Sequence, residues 1–261
     1  MADRIDMRIG ERNLEAVWIG PKSHEAPTLV LLHEGLGSVS AWRDWPAELA
    51  EKSGFGVLAY SRFGYGASDP SPLPWPSTYM HREADEIVPA VLAQAKVERC
   101  VLVGHSDGAS ISILHAGGTH ASPLVRGLVL MSPHVFVEPI SVEAITRSRE
   151  MYESSGLREK LSQHHADVDH AFRGWNDIWL HTDFRAWNIE AFVPKITVPM
   201  LLVQEENDPY GTLAQLDAIE RSAKTPTNRL ILPGNGHAPW KERREETTRA
   251  TVSFAQRVFG H

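Results

Sequence analysis

The chain has almost no cysteine and no long apolar run. Only one of its 261 residues is a cysteine, Cys100, so no internal disulfide can form. Cys100 begins the apolar stretch Cys100-Val101-Leu102-Val103, where a thiol usually behaves as a small buried hydrophobic group. No apolar stretch has the length of a signal peptide or of a membrane span. We therefore expect a cytoplasmic protein that does not bind a membrane.

Basic residues are scarce relative to acidic ones. The chain has 26 Lys and Arg against 33 Asp and Glu, a formal net charge of -7, and it has no long basic run. This balance argues against a nucleic-acid or anionic-lipid partner. The hydrophobic content of 42% is typical of a folded globular protein. We expect a monomer or small homo-oligomer whose partner is a small-molecule substrate, neutral or cationic.

Short apolar runs separated by helical spacing or turn residues predict an α/β fold. The alternation favours a mostly parallel eight-stranded sheet with helices on both faces. The predicted strands are residues 5–9, 14–19, 28–33, 56–60, 99–103, 127–131, 200–204 and 229–232. Helical spacing is found at residues 42–52, 78–95, 106–117, 213–222 and 239–259.

Residues 136–194 lack strand signal but contain several helix-like segments. This pattern predicts a helical cap inserted into a core formed by residues 1–135 and 195–261. We expect the aromatic residues of the cap either to roof a ligand pocket or to hold its small helices together. They are Tyr152, Trp175, Trp179, Phe184 and Trp187.

The strongest local pattern is a G-x-S-x-G sequence, Gly104-His105-Ser106-Asp107-Gly108, directly after a predicted strand and before a predicted helix. A sharp strand-to-helix turn strains the middle residue, so residues without a side chain are favoured two positions to either side. The hydroxyl of Ser106 would then lie at a helix N-terminus, which favours developing negative charge. The alternative is a glycine-flanked helix cap without chemistry.

A serine nucleophile needs a general base and an acid that orients the base. His237 lies on a glycine-rich loop after the last predicted strand, and Asp208 lies on the loop after the preceding one. Glu205 and Glu206 are alternatives to Asp208, but residues still leaving the strand point less freely toward the site. The chain order Ser106, Asp208, His237 is that of the α/β-hydrolase triad.

Acyl transfer also needs hydrogen-bond donors for the oxyanion. One expected donor is the backbone N–H of Asp107, which follows the nucleophile. The other is the N–H of Leu36, with Gly35 as the alternative, on the loop after the third predicted strand. Glycines on this loop would let its backbone approach a ligand closely. A plain turn explains these glycines equally well, but not their coincidence with the other features.

Together these motifs resemble the α/β-hydrolase family over nearly the whole chain. The stretch Tyr60-Ser61-Arg62-Phe63-Gly64-Tyr65-Gly66-Ala67-Ser68 is similar to the D-x-R-G-x-G-x-S segment of that family. The chain departs from the family in two places. Glu34-Gly35 replaces the usual His-Gly, with His33 displaced by one position, and Phe63 replaces a common glycine.

Within the family, Ser106-Asp107-Gly108 and Trp175-Asn176 resemble the biphenyl hydrolase-like group, which includes valacyclovirase. That resemblance implies that Asp107 provides an anionic group that reads the α-amino group of a substrate. An acidic residue that starts a helix explains the same position. The expected substrate contacts are Gly35, Asp107 and Trp175.

The leading interpretation is a serine hydrolase that cleaves a small ester, an aminoacyl ester among them, or an amide. A serine at position 106 implies an acyl-enzyme, whereas dehalogenases and epoxide hydrolases of this fold have an aspartate there. The alternatives are a carbon–carbon bond hydrolase, a lactonase, and a ligand-binding receptor with a slow triad. We expect neither cofactor nor metal, and we interpret the His- and Asp-rich residues 164–170 as a solvated helix face.

Overall fold

Eight β-strands form one sheet in the computed structural model of the protein, which describes residues 3–260. They are β1 (Asp3–Ile9), β2 (Arg12–Ile19), β3 (Thr28–Leu32), β4 (Gly56–Tyr60), β5 (Cys100–His105), β6 (Val125–Met131), β7 (Met200–Glu205) and β8 (Thr227–Leu232). All eight predicted strands are thus confirmed, each within three residues of its expected ends. Residues 1, 2 and 261, which the predicted core includes, lie outside the described residues.

The strands lie in the order β1-β2-β4-β3-β5-β6-β7-β8. Strand β2 pairs antiparallel with β1 and β4, and the other five pairings are parallel. The prediction of a mostly parallel sheet is confirmed. Because the carboxyl ends of the parallel strands meet at one edge, the loops after β3, β5, β7 and β8 lie at that edge.

The described helices cover both faces of the sheet. They are α1 (Trp45–Ser53), α2 (Tyr79–Arg82), α3 (Val88–Gln94), α4 (Asp107–Gly117), α5 (Pro139–Ser154), α6 (Leu157–Leu161), α7 (Val168–Leu180), α8 (Ala214–Ser222), α9 (Pro239–Glu242) and α10 (Arg244–Phe259). Successive residues of a strand face opposite sides, so Leu29 and Leu31 pack in the core that includes α1 and α10. Val30 and Leu32 pack in the other core, which includes α3, α4 and α8.

Two predicted helices are interrupted. The helix expected at 78–95 consists of α2, a π-helical turn at Glu83–Ile87, and α3. Pro89 explains the break, because it has no N–H to donate to an earlier carbonyl and its ring crowds the preceding turn. The helix expected at 239–259 breaks at Arg243, whose backbone dihedrals of -125° and 50° are not helical.

The chain between β6 and β7 contains helices α5, α6 and α7 and the 3₁₀ helices Thr182–Ala186 and Glu190–Lys195. Histidines of this stretch bond to loops at the carboxyl edge of the sheet. His165 Nδ1 accepts the N–H of Gly66 at 3.0 Å, and His164 Nδ1 lies 2.9 Å from Ser40 Oγ. Nothing in residues 3–260 forms a helix long and apolar enough to cross a membrane.

Candidate active site

Ser106 lies at the tip of the turn between β5 and α4, with backbone dihedrals of 52° and -116°. A positive φ is strained for a residue with a side chain. The flanking glycines make the turn possible. A Cβ at Gly104 would lie 2.4 Å from the carbonyl oxygen of Gly108, and a Cβ at Gly108 would lie 2.0 Å from that of Leu32. The G-x-S-x-G pattern is therefore a steric requirement of this turn.

Asp208 and His237 come together across the loops after β7 and β8. His237 Nδ1 lies 2.9 Å from Asp208 Oδ1 and 2.8 Å from Oδ2. Oδ1 also accepts the N–H of Tyr210 at 2.8 Å, which fixes the carboxylate within its loop. Among the two alternatives, Glu205 accepts the N–H of Gly236 at 2.9 Å instead, and so supports the histidine loop.

The pairing of Asp208 with His237 changes the pKa of both groups. Burial alone would lower the pKa of His237, but the charge and hydrogen bond of Asp208 raise it above its ordinary value of 6.5. Burial would raise the pKa of Asp208, and the charge of His237 holds it below its ordinary value. The aspartate is therefore ionised at neutral pH, and it fixes the proton of the imidazole on Nδ1, leaving Nε2 as an acceptor.

Ser106 and His237 line one cavity of about 200 Å³. Within residues 3–260 no hydrogen bond joins the two side chains, and such bonds often form only when a substrate is bound. The cavity is bounded by the loops at the carboxyl edge of the sheet and by α5 and α7. Its lining is Glu34, Gly35, Leu36, His105, Ser106, His134, Ser141, Ile145, Trp175, Trp179, Tyr210, His237 and Ala238.

The two expected oxyanion donors have no other partner in the described structure. No acceptor among residues 3–260 takes up the backbone N–H of Leu36 or of Asp107. Leu36 lines the cavity, and Asp107 is the first residue of α4, where backbone N–H groups have no carbonyl within the helix. Both N–H groups thus lack a protein acceptor, as a donor to an oxyanion would, and their role as oxyanion donors stays a prediction.

The loop that carries Leu36 is held by buried side chains. Arg62 Nη2 donates to the carbonyl oxygen of Glu34 at 2.8 Å. His33 Nε2 accepts the N–H of Arg62 at 3.0 Å, so its Nδ1 carries the proton and donates to the same carbonyl at 2.7 Å. His165 Nε2 lies 3.0 Å from the carbonyl oxygen of Leu36. The displaced histidine at position 33 thus supports the loop of residues 33–38, called here the oxyanion loop after its expected donor Leu36. The His-rich residues 164–170, interpreted from the sequence as a solvated helix face, contribute a buried contact through His165.

The carboxylate of Asp107 lies in a different environment from the one expected. It is fully buried and does not line the cavity. Its Oδ2 accepts the hydroxyl of Tyr79 at 2.7 Å and lies 3.4 Å from Arg62 Nη1. Burial raises its pKa, although Arg62 opposes that effect. Tyr79 and Arg62 thus hold this carboxylate outside the set of residues that line the cavity, and its expected contact with a substrate stays a prediction.

Gly35 and Trp175, the other expected substrate contacts, meet at the cavity wall. A Cβ at Gly35 would lie only 2.1 Å from Trp175 Nε1. Trp175 belongs to α7, so this contact places an aromatic side chain of the β6–β7 stretch directly on the oxyanion loop. Only glycine allows this close approach.

Several residues that line the cavity were not predicted from the sequence. His134 follows β6 at the carboxyl edge of the sheet, and Tyr210 follows Asp208 by two residues, so proximity to a strand end was an available signal. Ser141 and Ile145 lie four residues apart on α5 and share a helix face. Burial lowers the pKa of His134 to about 3, with His237 adding to the effect, so His134 is neutral.

Comparison with known proteins agrees with the fold. The model of the alpha/beta hydrolase family matches residues 29–250. No curated protein sequence matches the chain. The narrower resemblance to the biphenyl hydrolase-like group stays a prediction.

Solved structures of several hydrolases are similar along nearly the whole chain. Proline iminopeptidase of Mycobacterium smegmatis has a TM-score of 0.77 and 16% identity, with 99% of this chain and 98% of that chain covered. The enol-lactonase of Burkholderia xenovorans has a TM-score of 0.73 and 18% identity, with 94% of this chain and 97% of that chain covered. Naproxen esterase of Bacillus subtilis has a TM-score of 0.72 and 17% identity, with 97% of this chain and 90% of that chain covered. The predictions of this fold and of an enzyme are confirmed: the protein belongs to the alpha/beta hydrolase family.

Proposed function

We propose that this protein hydrolyses small carboxylic esters through an acyl-enzyme on Ser106. The observation that carries the proposal is the strained Ser106, in one cavity with a His237 imidazole bound to Asp208 at 2.8 and 2.9 Å. A hydroxyl needs a base to become a nucleophile, and a base needs a fixed tautomer. The esterases among the similar structures, such as naproxen esterase, are consistent with this substrate class.

In the proposed reaction, Ser106 Oγ attacks the ester carbonyl carbon while its proton passes to His237 Nε2. The electron pair of the C=O bond moves to oxygen, which the N–H groups of Leu36 and Asp107 stabilise. Collapse of this intermediate breaks the C–O bond, and His237 gives its proton to the departing alcohol. A water molecule then attacks the acyl-enzyme by the same steps and releases the acid and free Ser106.

We propose further that residues 136–194 act as a cap over a core of residues 1–135 and 195–261. Ser141 and Ile145 from α5 and Trp175 and Trp179 from α7 supply the wall opposite the sheet. The cap would thus shape the substrate pocket, whereas the core carries the reacting groups. The cytoplasmic location and the small oligomeric state stay predictions.

The test of this function is Ser106→Ala, measured as turnover over a panel of short-chain esters and lactones. We expect a loss of at least about 10⁴-fold, because the members of a triad act as a unit. Ser112→Ala is the matched control. Its hydroxyl donates to the carbonyl of Gly108 within α4 at 2.8 Å and does not line the cavity, so turnover should be retained. If Ser106→Ala keeps a tenth of the wild-type rate, the proposal is wrong.

A further inference from the structure

One carboxylate faces the cavity that holds Ser106. The side chain of Glu34 is 25% exposed and lines the cavity two residues before the oxyanion donor Leu36. Its Oε2 lies 3.3 Å from His105 Nδ1. Neither lysine nor arginine forms an ion pair with it in the part of the chain that the structure describes, and neither type lines the cavity.

This carboxylate is charged at neutral pH. Burial would raise the pKa of Glu34, but the hydrogen bond and charge of His105, the charge of His33 and the backbone N–H of Glu34 itself hold it at about 2. At neutral pH a negative charge is thus present at the wall of the cavity. It opposes the negative charge that develops on the oxyanion during acyl transfer.

His105 balances that charge only in part. Its Nε2 lies 2.7 Å from the carbonyl oxygen of His237, and its Nδ1 is shared between Glu34 and the indole N–H of Trp240, each at 3.3 Å. A neutral ring that donates from Nε2 and accepts from Trp240 has no proton for Glu34. A protonated ring donates to Oε2 only. In both states Oε1 has no side-chain partner among residues 3–260.

The rest of the cavity wall suits a positively charged group. Trp175, Trp179 and Tyr210 line it with aromatic rings, whose faces attract cations. The cavity of about 200 Å³ has room for a small organic group. An ammonium group placed between Glu34 and these rings would neutralise the carboxylate where it opposes catalysis.

We propose that Glu34 determines the substrate class of this site by binding an ammonium group of the ester. The inference rests on the proposed hydrolase function and names its substrates. It assigns to Glu34 the charge recognition that the sequence had indicated for Asp107, because Glu34 faces the cavity and Asp107 does not.

The test compares matched ester pairs that differ only in charge. Ethyl alaninate and ethyl isobutyrate place an ammonium or a methyl group in the acyl part. Butyrylcholine and 3,3-dimethylbutyl butyrate place a quaternary nitrogen or a carbon in the alcohol part. We expect the wild type to favour the cationic member of at least one pair in kcat/KM, and the pair concerned identifies the side on which the ammonium binds.

The decisive variant is Glu34→Gln, which keeps nearly the same volume and removes the charge. The preference for the cationic ester should fall by roughly 10- to 100-fold, the usual range for losing a charge-assisted contact. Glu242→Gln is the control, since both carboxylates raise the pKa of His237 but only Glu34 lines the cavity. The control should keep the wild-type preference.

Two outcomes overturn the proposal: a wild type that shows no preference in either pair, and a Glu34→Gln variant that keeps the preference. In both cases loss of activity in Ser106→Ala would leave the hydrolase function standing, whereas absence of any Ser106-dependent turnover would remove that function itself. If Glu34→Gln does not fold, the proposal is tested instead on the wild type, by measuring how a cationic and a neutral compound inhibit its hydrolysis of ethyl isobutyrate. Tetramethylammonium should inhibit and neutral tert-butanol should not, and equal effects would contradict the proposal.

Discussion

Among single side chains, His237, the proposed general base, should set the response of the site to pH. The imidazole must be neutral to accept the proton of Ser106, and Asp208 raises its pKa above 6.5 against the effect of burial. We therefore expect kcat/KM for a neutral ester to rise with pH through a midpoint above 6.5, and to be lost below it. A pH–rate profile between pH 5 and 9 measures that midpoint.

Asp208→Asn provides the control for this profile. Asparagine keeps the shape of the side chain but removes the charge that favours the imidazolium, so the midpoint should move to lower pH and the maximum rate should fall. A midpoint that stays unchanged in Asp208→Asn would show that a group other than His237 controls the rise of kcat/KM with pH.

The predictable part of the site is the part encoded by local pattern. Ser106 was identifiable because the glycine spacing around it is a steric requirement, and Asp208 and His237 because each follows a strand. Glu34 and the side-chain partners of Asp107 were not identifiable in the same way. Glu34 contacts His105, and Asp107 contacts Arg62 and Tyr79. These partners lie tens of residues away along the chain, and no local pattern specifies where their side chains point.

At the next scale, the π-helical turn between α2 and α3 carries a buried carboxyl group. Burial raises the pKa of Glu83 to about 7, with Arg62 acting in the opposite direction, and its Oε2 has no partner in the described structure. The folded protein therefore keeps a proton on Glu83 between its ordinary pKa of 4.5 and about 7, where the unfolded chain has lost it. The contribution of Glu83 to stability should be present below that interval and fall as pH rises through it.

Glu83→Gln tests this linkage because glutamine is neutral at every pH. The free energy of unfolding of the variant minus that of the wild type should be larger at pH 8 than at pH 5 by about 1 to 3 kcal/mol, because only the wild type loses stability as pH rises. Urea unfolding at both pH values measures the difference. The control, Glu86→Gln, removes a carboxylate from the same turn that pairs with Arg82 at the surface, and it should change little. A pH-independent effect of Glu83→Gln would refute the assignment.

Strands were easier to predict than helices in this chain. The central strands β3 and β5 are buried over their whole length, so their apolar runs are continuous and have clear ends. Helical periodicity continues across a break, because Thr78 to Ala95 keeps apolar spacing through the π-helical turn that Pro89 requires. Periodicity identified the buried face of these helices but not where their hydrogen-bond pattern changes.

Across the whole molecule, the proposed cap and core meet where Trp175 packs on Gly35. A methyl group on Gly35 would overlap the indole, so Gly35→Ala must displace either the cap or the oxyanion loop. We expect Gly35→Ala to reduce kcat/KM strongly in the wild type and much less in a Trp175→Ala background. The coupling energy in this double-mutant cycle should be about 1 to 2 kcal/mol.

The matched control for that cycle is Trp187→Ala. Trp187 belongs to the same stretch between β6 and β7 and is buried, but it does not line the cavity. Its effect should therefore add to that of Gly35→Ala without coupling. Additivity in both cycles would show that the contact between Gly35 and Trp175 does not position the oxyanion loop.

Because Cys100 is buried, the folded enzyme should have no thiol that reacts with labelling reagents. The side chain of Cys100 is fully buried at the start of β5, and burial raises its pKa to about 12, so maleimide reagents should leave the folded protein unmodified. A single cysteine introduced at Met151, which is 49% exposed on α5, would then be the one reactive thiol. A fluorophore at that position would report, by energy transfer from the tryptophans, how the proposed cap responds when a substrate enters.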